Sequence, residues 1–264
     1  MISLGVDIAG MDNTWVTSID NHKKIQLEPQ KMTLEQILIH CLKPDVSVVV
    51  IDSPLSYAID EENGMRNCDE ALREMLDRFT FSRNYVASSN SLSAVTSRGR
   101  QLAEELRKCN YKGKILETVP RFCLGQMAIR YPSLITAVEE YKTDQLNWNT
   151  HRVNLWREWW LQQMSVAHVP LPTFNQENED GKLDSMVCAS IGHFYIVNKK
   201  KITLYRHIPK GHHKTRGFVK GIHVLSDPSG VPFFVPNGLD ILKEKVGGSY
   251  AEDVSLSRSM GRFI

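Results

Sequence analysis

Residues 46–51, VSVVVI, form a β-branched run broken only by Ser47, and it stops abruptly at Asp52-Ser53-Pro54. A strand with one face in water alternates apolar and polar residues. A run that is apolar almost throughout suits a strand covered by helices on both faces, as in a largely parallel sheet. This segment therefore points to an α/β architecture, with flanking helices supplied from elsewhere in the chain.

The rest of the sequence supplies them. Residues 2–8, ISLGVDI, read as a first strand, and 14–20, TWVTSID, as its hairpin partner across a turn at Gly10 to Asn13. Thr33 and Gln36 have the spacing of a capping box, opening a helix with Leu34, Ile37, Leu38 and Cys41 on one face and Pro44 at its end. Residues 65–79 and 98–109 have helical spacing, with a Ser/Asn-rich loop expected over 82–97. Residues 114–118, KILET, read as a short strand closed by Pro120. Helices are expected over about 121–131, 134–142 and 148–164, a loop over 169–181 and a buried helix over 183–197. Residues 222–236 read as two short strands around Asp227-Pro228-Ser229-Gly230. Strands alternating with helices, opened by a hairpin, give a mixed sheet. The expectation is one domain over 1–264.

Composition removes several alternatives. A chain of 264 residues, 42% hydrophobic, can bury a full core without staples. A net charge of +2 does not announce a nucleic-acid binder by bulk charge, but leaves room for local basic patches. The cysteines, Cys41, Cys68, Cys109, Cys123 and Cys188, form no CxxC pair and mostly sit among apolar helical residues. They read as reduced thiols of a cytoplasmic protein rather than a disulfide framework or zinc site. No run of about 18 apolar residues exists, and Met1-Ile2-Ser3 leads straight into a strand, so neither a membrane span nor a signal peptide is expected.

Four acids stand where chemistry is done in such folds. Asp7 interrupts an otherwise apolar strand, and a carboxylate buried in a sheet is costly unless paired or bound to a metal. Asp52 ends the most apolar strand, and ligands of open α/β sheets gather beyond those ends. Glu117 holds the same kind of position after KIL. Asp184 opens the late helix, and Asp180 would share its face if that helix began early enough. Convergent carboxylates suit Mg²⁺ or Mn²⁺, hard cations that take oxygen ligands. Each acid also has an ordinary reading: a helix cap for Asp184, an Asx turn for Asp52, a surface ion pair for Glu117.

The strings GVDIAG at 5–10, VVIDSPLSY at 49–57, R-x-CDEALR from Arg66 to Arg73, LETVP at 116–120 and LDSMVCA at 183–189 occur in that order, followed by HVLSDPSGVPFFVP. This ordered set, spread over about residues 2–236, resembles the domain of unknown function 429 family, described as predicted nucleases of RNase H-like fold. The resemblance implies an RNase H-like mixed β-sheet with an N-terminal hairpin, flanked by helices. It implies catalytic roles for Asp7, Asp52, Glu117 and Asp184, with Asp180 as a further metal ligand. Two departures stand out. Ser185 follows Asp184 where the family often has alanine, and 199–221 looks like a basic insertion.

Arg66 and Arg73, seven apart on one helix face, either clamp phosphate or pair with the buried acids. The insertion carries Lys210, Lys214 and Arg216 among other cations and no acid, as a loop tracking a nucleic-acid backbone or as a solvated excursion. The tryptophan-rich helix 148–164 reads as core or as the face of a homodimer rather than a base-stacking surface. The leading expectation is a divalent-metal-dependent nuclease. The alternatives are a non-catalytic nucleic-acid or nucleotide binding module and, last, a nucleotide phosphotransferase related to the actin-like ATPases.

Overall fold

The computed structural model describes residues 1–10, 12–55, 65–78, 81–86, 93–169, 171–197, 202–205, 233–236 and 251–252. Five strands form the centre: β1 (Ile2–Asp7), β2 (Trp15–Asp20), β3 (Ile25–Lys31), β4 (Val46–Asp52) and β5 (Lys114–Glu117). Their spatial order is β3-β2-β1-β4-β5. The first three run antiparallel in sequence, and β4 and β5 run parallel to β1. This mixed, hairpin-led sheet with helices on both faces is the RNase H-like arrangement. Three further strands, β6 (Ile202–Tyr205), β7 (Phe233–Pro236) and β8 (Ala251–Glu252), extend the sheet beyond β5 in the order β7-β6-β8.

The run at 46–51 behaves as its composition demands. Alternate residues of β4 enter two separate cores. Val48 and Val50 join a cluster with Leu116, Leu183 and Met186; Val49 and Ile51 join Leu4, Val6, Ile37 and Leu106. The second core is closed by α1 (Leu34–Cys41) and α3 (Ser93–Lys108). Thr33 caps α1 with the reciprocal bonds of a capping box, its Oγ1 accepting from the Gln36 N–H at 3.3 Å. Around the first core stand α2 (Asn67–Arg78), α4 (Pro120–Arg130), α5 (Ile135–Glu140), α6 (Trp148–Glu158) and α7 (Asp180–Val197).

α7 lies directly across β1, β2 and β4. A Cβ on Gly5 would strike the Ser185 carbonyl and the Ala189 amide, so only glycine lets the helix backbone approach the strand this closely. Ser185 shares a hydrogen bond of 2.8 Å with Thr17 Oγ1 on β2.

Several elements differ from the sequence reading. β3 carries Pro29 and alternates half-buried with exposed positions at the sheet edge, where a strand tolerates proline. α3 starts at Ser93, inside the expected Ser/Asn loop, and α7 starts at Asp180, inside the expected loop 169–181. The helical run after α6 continues over Trp159–Gln163 as a π-helical turn. Trp156, Trp159 and Trp160 are all buried in the core. Within the expected basic insertion, 202–205 is strand β6, antiparallel to 233–236. The remainder of 206–232, including Lys210, Lys214 and Arg216, lies outside the described residues. Among the described residues, no helix is long and apolar enough to cross a membrane.

Candidate metal centre at the carboxyl end of the sheet

Asp7 and Asp52 end two adjacent parallel strands and are register partners. On β1, Leu4 and Val6 face the α1–α3 core, so Ser3, Gly5 and Asp7 face α7. On β4 the same parity places Asp52 with Val48 and Val50 on the α7 side. Asp184 comes down from α7 onto this pair. One carboxylate oxygen from each of Asp7, Asp52 and Asp184 lies within 4.8 Å of the others. Asp184 is fully buried, Asp7 is 8% exposed, and Asp52 is half-buried at the floor of a cleft of about 280 Å³.

Burial and mutual repulsion make these groups reluctant to ionise. Asp7 is raised well above the usual carboxylate range, first by burial and then by Asp184 and Asp52. Asp52 is pushed up to about 7 by burial and by Asp184. Asp184 is also raised by burial, and Lys142 opposes that rise. Asp7 and Asp52 are within hydrogen-bonding reach of each other. Such a set gains most from a cation that neutralises all its members at once. The donors are all hard carboxylate oxygens, which fits Mg²⁺ or Mn²⁺ and not a soft metal.

Two residues that sequence reasoning missed complete the surroundings. The Tyr141 hydroxyl donates to Asp184 Oδ1 at 2.9 Å. Lys142 places Nζ 2.5 Å from Asp184 Oδ2 and 3.4 Å from Asp180 Oδ2. Because α7 begins at Asp180, Asp180 and Asp184 fall one turn apart on the same face, and one ammonium reaches both. A lone Tyr-Lys pair after a short helix carries no sequence signal. Only the fold brings it to the acids.

Glu117 stands apart from the three aspartates. Its register partner is Ile51, so its parity in the sheet differs from that of Asp52, although both side chains line the same cleft and Glu117 adds to the repulsion that raises Asp52. There Arg66 Nη1 donates to Glu117 Oε2 at 2.8 Å, Nη2 bonds Oε1, and the Leu55 N–H donates to Oε2 at 2.7 Å. Arg66 also bonds Asp69 at 2.6 and 2.9 Å. All three side chains are at most 3% exposed. Arg73 donates to the Val86 carbonyl at 2.7 and 2.9 Å, bracing the turn at Arg83–Tyr85. Arg121, from α4, lines the cleft, stacks over Tyr85 at 4.0 Å and bonds the carbonyls of Val138 and Glu139.

The fold and this centre define an RNase H-like α/β protein with three convergent aspartates at the carboxyl end of its central strands. A family model described as protein of unknown function (DUF429) matches residues 5–207, and the chain belongs to that family. No curated protein and no solved structure matches it.

Proposed function

We propose that this protein is a divalent-metal-dependent nuclease that hydrolyses phosphodiester bonds of nucleic acid. The observation that carries the reading is the meeting of Asp7, Asp52 and Asp184 within 4.8 Å at the carboxyl ends of β1 and β4 and on the facing helix. Mg²⁺ or Mn²⁺ bound there supplies a Lewis acid for a phosphoryl oxygen and makes water a better nucleophile near neutral pH. The chain's own part is positional. Asp7, Asp52 and Asp184 are the ligands, and Tyr141 fixes the orientation of Asp184. Glu117 and Asp180 act from the periphery, Glu117 through Arg66 and Leu55, Asp180 through Lys142. Arg121 lines the wall of the same cleft and adds positive charge beside the acids. Arg66 serves the site by holding Glu117, and Arg73 by holding the adjoining turn.

Lys210, Lys214 and Arg216 are the proposed contacts to the nucleic-acid backbone outside the centre. A cytoplasmic location accords with four buried free thiols, of which Cys41 and Cys123 are pushed up to about 12 by burial.

A second reading, a binding module without chemistry, has one observation in its favour: Lys142 already neutralises part of the acid cluster. One assay separates the two. Purified protein is offered single- and double-stranded DNA, RNA and hybrid with Mg²⁺ or Mn²⁺. Cleavage by the wild type, abolished in Asp7→Asn with the circular dichroism unchanged, is the expected result. A wild type that binds these substrates and cuts none of them sinks the nuclease reading and leaves the binding module.

A further inference from the structure

Resting on the metal reading above, we infer that the centre takes a single divalent ion, because the Lys142 ammonium occupies the second cation position. Paired ions in phosphodiesterases sit about 3.5–4 Å apart and share a bridging carboxylate. Here the three aspartates define one seat, and Asp184 is the member that borders a second carboxylate pair, Asp180–Asp184. Lys142 straddles that second pair, with Nζ 2.5 Å from Asp184 Oδ2 and 3.4 Å from Asp180 Oδ2. A second ion would need the same oxygens and would stand against both an ammonium and the first ion.

The lysine is delivered by a rigid turn. Tyr141 is fully buried, its hydroxyl on Asp184 Oδ1 at 2.9 Å. Arg152, itself fully buried, donates from Nε to the Tyr141 carbonyl at 2.8 Å and from Nη2 to the Glu177 carbonyl at 2.6 Å, tying this turn to the segment just before α7. Arg121 holds the carbonyls of Val138 and Glu139. On the far side, His151 Nε2 lies 3.2 Å from Asp144 and 3.3 Å from Glu140. The turn from Glu139 to Asp144 is thus held on three sides, and it sends both the Tyr141 hydroxyl and the Lys142 ammonium to Asp184.

Lys142 is a positioning residue in this account, and its signature is stoichiometry rather than rate. Calorimetric titration of the full chain with MnCl₂, counting the ions that remain when the separate Glu140–Asp144–His151 group is disabled by His151→Ala, is expected to give one ion per chain for the wild type and for Lys142→Arg, and two for Lys142→Met, which keeps the apolar stem. Lys142→Ala, checked by circular dichroism, serves as the second neutral variant and is also expected to give two. Two ions in the wild type, or one ion in both neutral variants, would overturn the inference while leaving the nuclease reading standing. No ion bound by the wild type would overturn both.

Discussion

Asp7 and Asp52 are register partners at the ends of adjacent parallel strands, and both leave the sheet on the face that α7 covers. That single relationship decides which acids of the chain can share an ion. Side chains alternate along a strand, so one step of register separates a carboxylate that joins the pair from one that takes other partners. Glu117 is that one step off. It pairs with Ile51 in the sheet and meets Arg66 within the same cleft.

The Arg66–Glu117 bridge makes a distinct prediction. Both partners are buried, and removing one leaves an uncompensated charge in a low-dielectric setting. Arg66→Met should cost about 3–5 kcal/mol in urea unfolding. Glu117→Gln should be destabilising too, yet leave Mn²⁺ affinity within about threefold of wild type, because Glu117 is held by Arg66 and the Leu55 N–H and stands outside the three-aspartate group. A hundredfold loss of Mn²⁺ affinity in Glu117→Gln, at unchanged stability, would instead make Glu117 a ligand.

Gly181 tests how closely α7 is seated. A Cβ there would overlap Trp15 Cδ1 and Asp7 Oδ2. Gly181→Ala should therefore cost about 1–3 kcal/mol through overpacking, and it should weaken metal binding as well, since Asp7 has to move. Gly5→Ala, whose Cβ meets α7 backbone rather than a ligand side chain, should be at least as destabilising. Thermal melts and Mn²⁺ titrations of the two variants read the effects separately. If Gly181→Ala leaves both quantities unchanged, the helix is not held where it is described.

Much of this was legible in the sequence, and the limits are physical. The apolar run at 46–51, the capping box at Thr33 and the acid inside β1 each carry a local signal that tertiary structure has no reason to override. β3 was hidden because an edge strand with Pro29 loses the apolar pattern that marks a central one. The departure of Glu117 was hidden because parity depends on register, which no local string encodes. Lys142 and Tyr141 were hidden for a related reason. Their partners are Asp184 and Asp180, about forty residues away, and the turn that brings them in is held by Arg121 and Arg152 rather than by any motif.

Tyr141→Phe isolates the support given to one ligand. The change removes only the hydroxyl donated to Asp184 Oδ1. Hydrogen bonds to charged groups are worth about 1.5–3 kcal/mol, and loss of an outer partner of a ligand commonly costs about 10–100-fold in metal affinity. Because that bond helps Asp184 stay ionised against burial, its loss should also move the onset of Mn²⁺ binding to higher pH. Titrations at pH 6.5 and 8.5 should thus show the larger deficit at the lower pH. Equal affinity for wild type and Tyr141→Phe at both values would remove Tyr141 from the centre.

The raised acids give the metal-free protein a pH dependence of definite sign. Asp52 stands at about 7 against an ordinary value of 3.8, and Asp7 and Asp184 are also raised. A carboxyl with a folded-state value above its unfolded one binds more protons in the native state, so its contribution to stability is full below about pH 4 and is lost as pH rises through about 7. For Asp52 that loss is at most about 4 kcal/mol at 1.36 kcal/mol per unit. In EDTA, urea midpoints measured from pH 4.5 to 8.5 should fall more steeply for the wild type than for Asp52→Asn, and the variant should be the more stable of the two at pH 8. Saturating Mn²⁺ should reverse that order, since the ion binds the ionised triad of the folded wild type and stabilises it by mass action. Parallel pH profiles for the two proteins in EDTA would mean that the three aspartates do not crowd one another as their positions require.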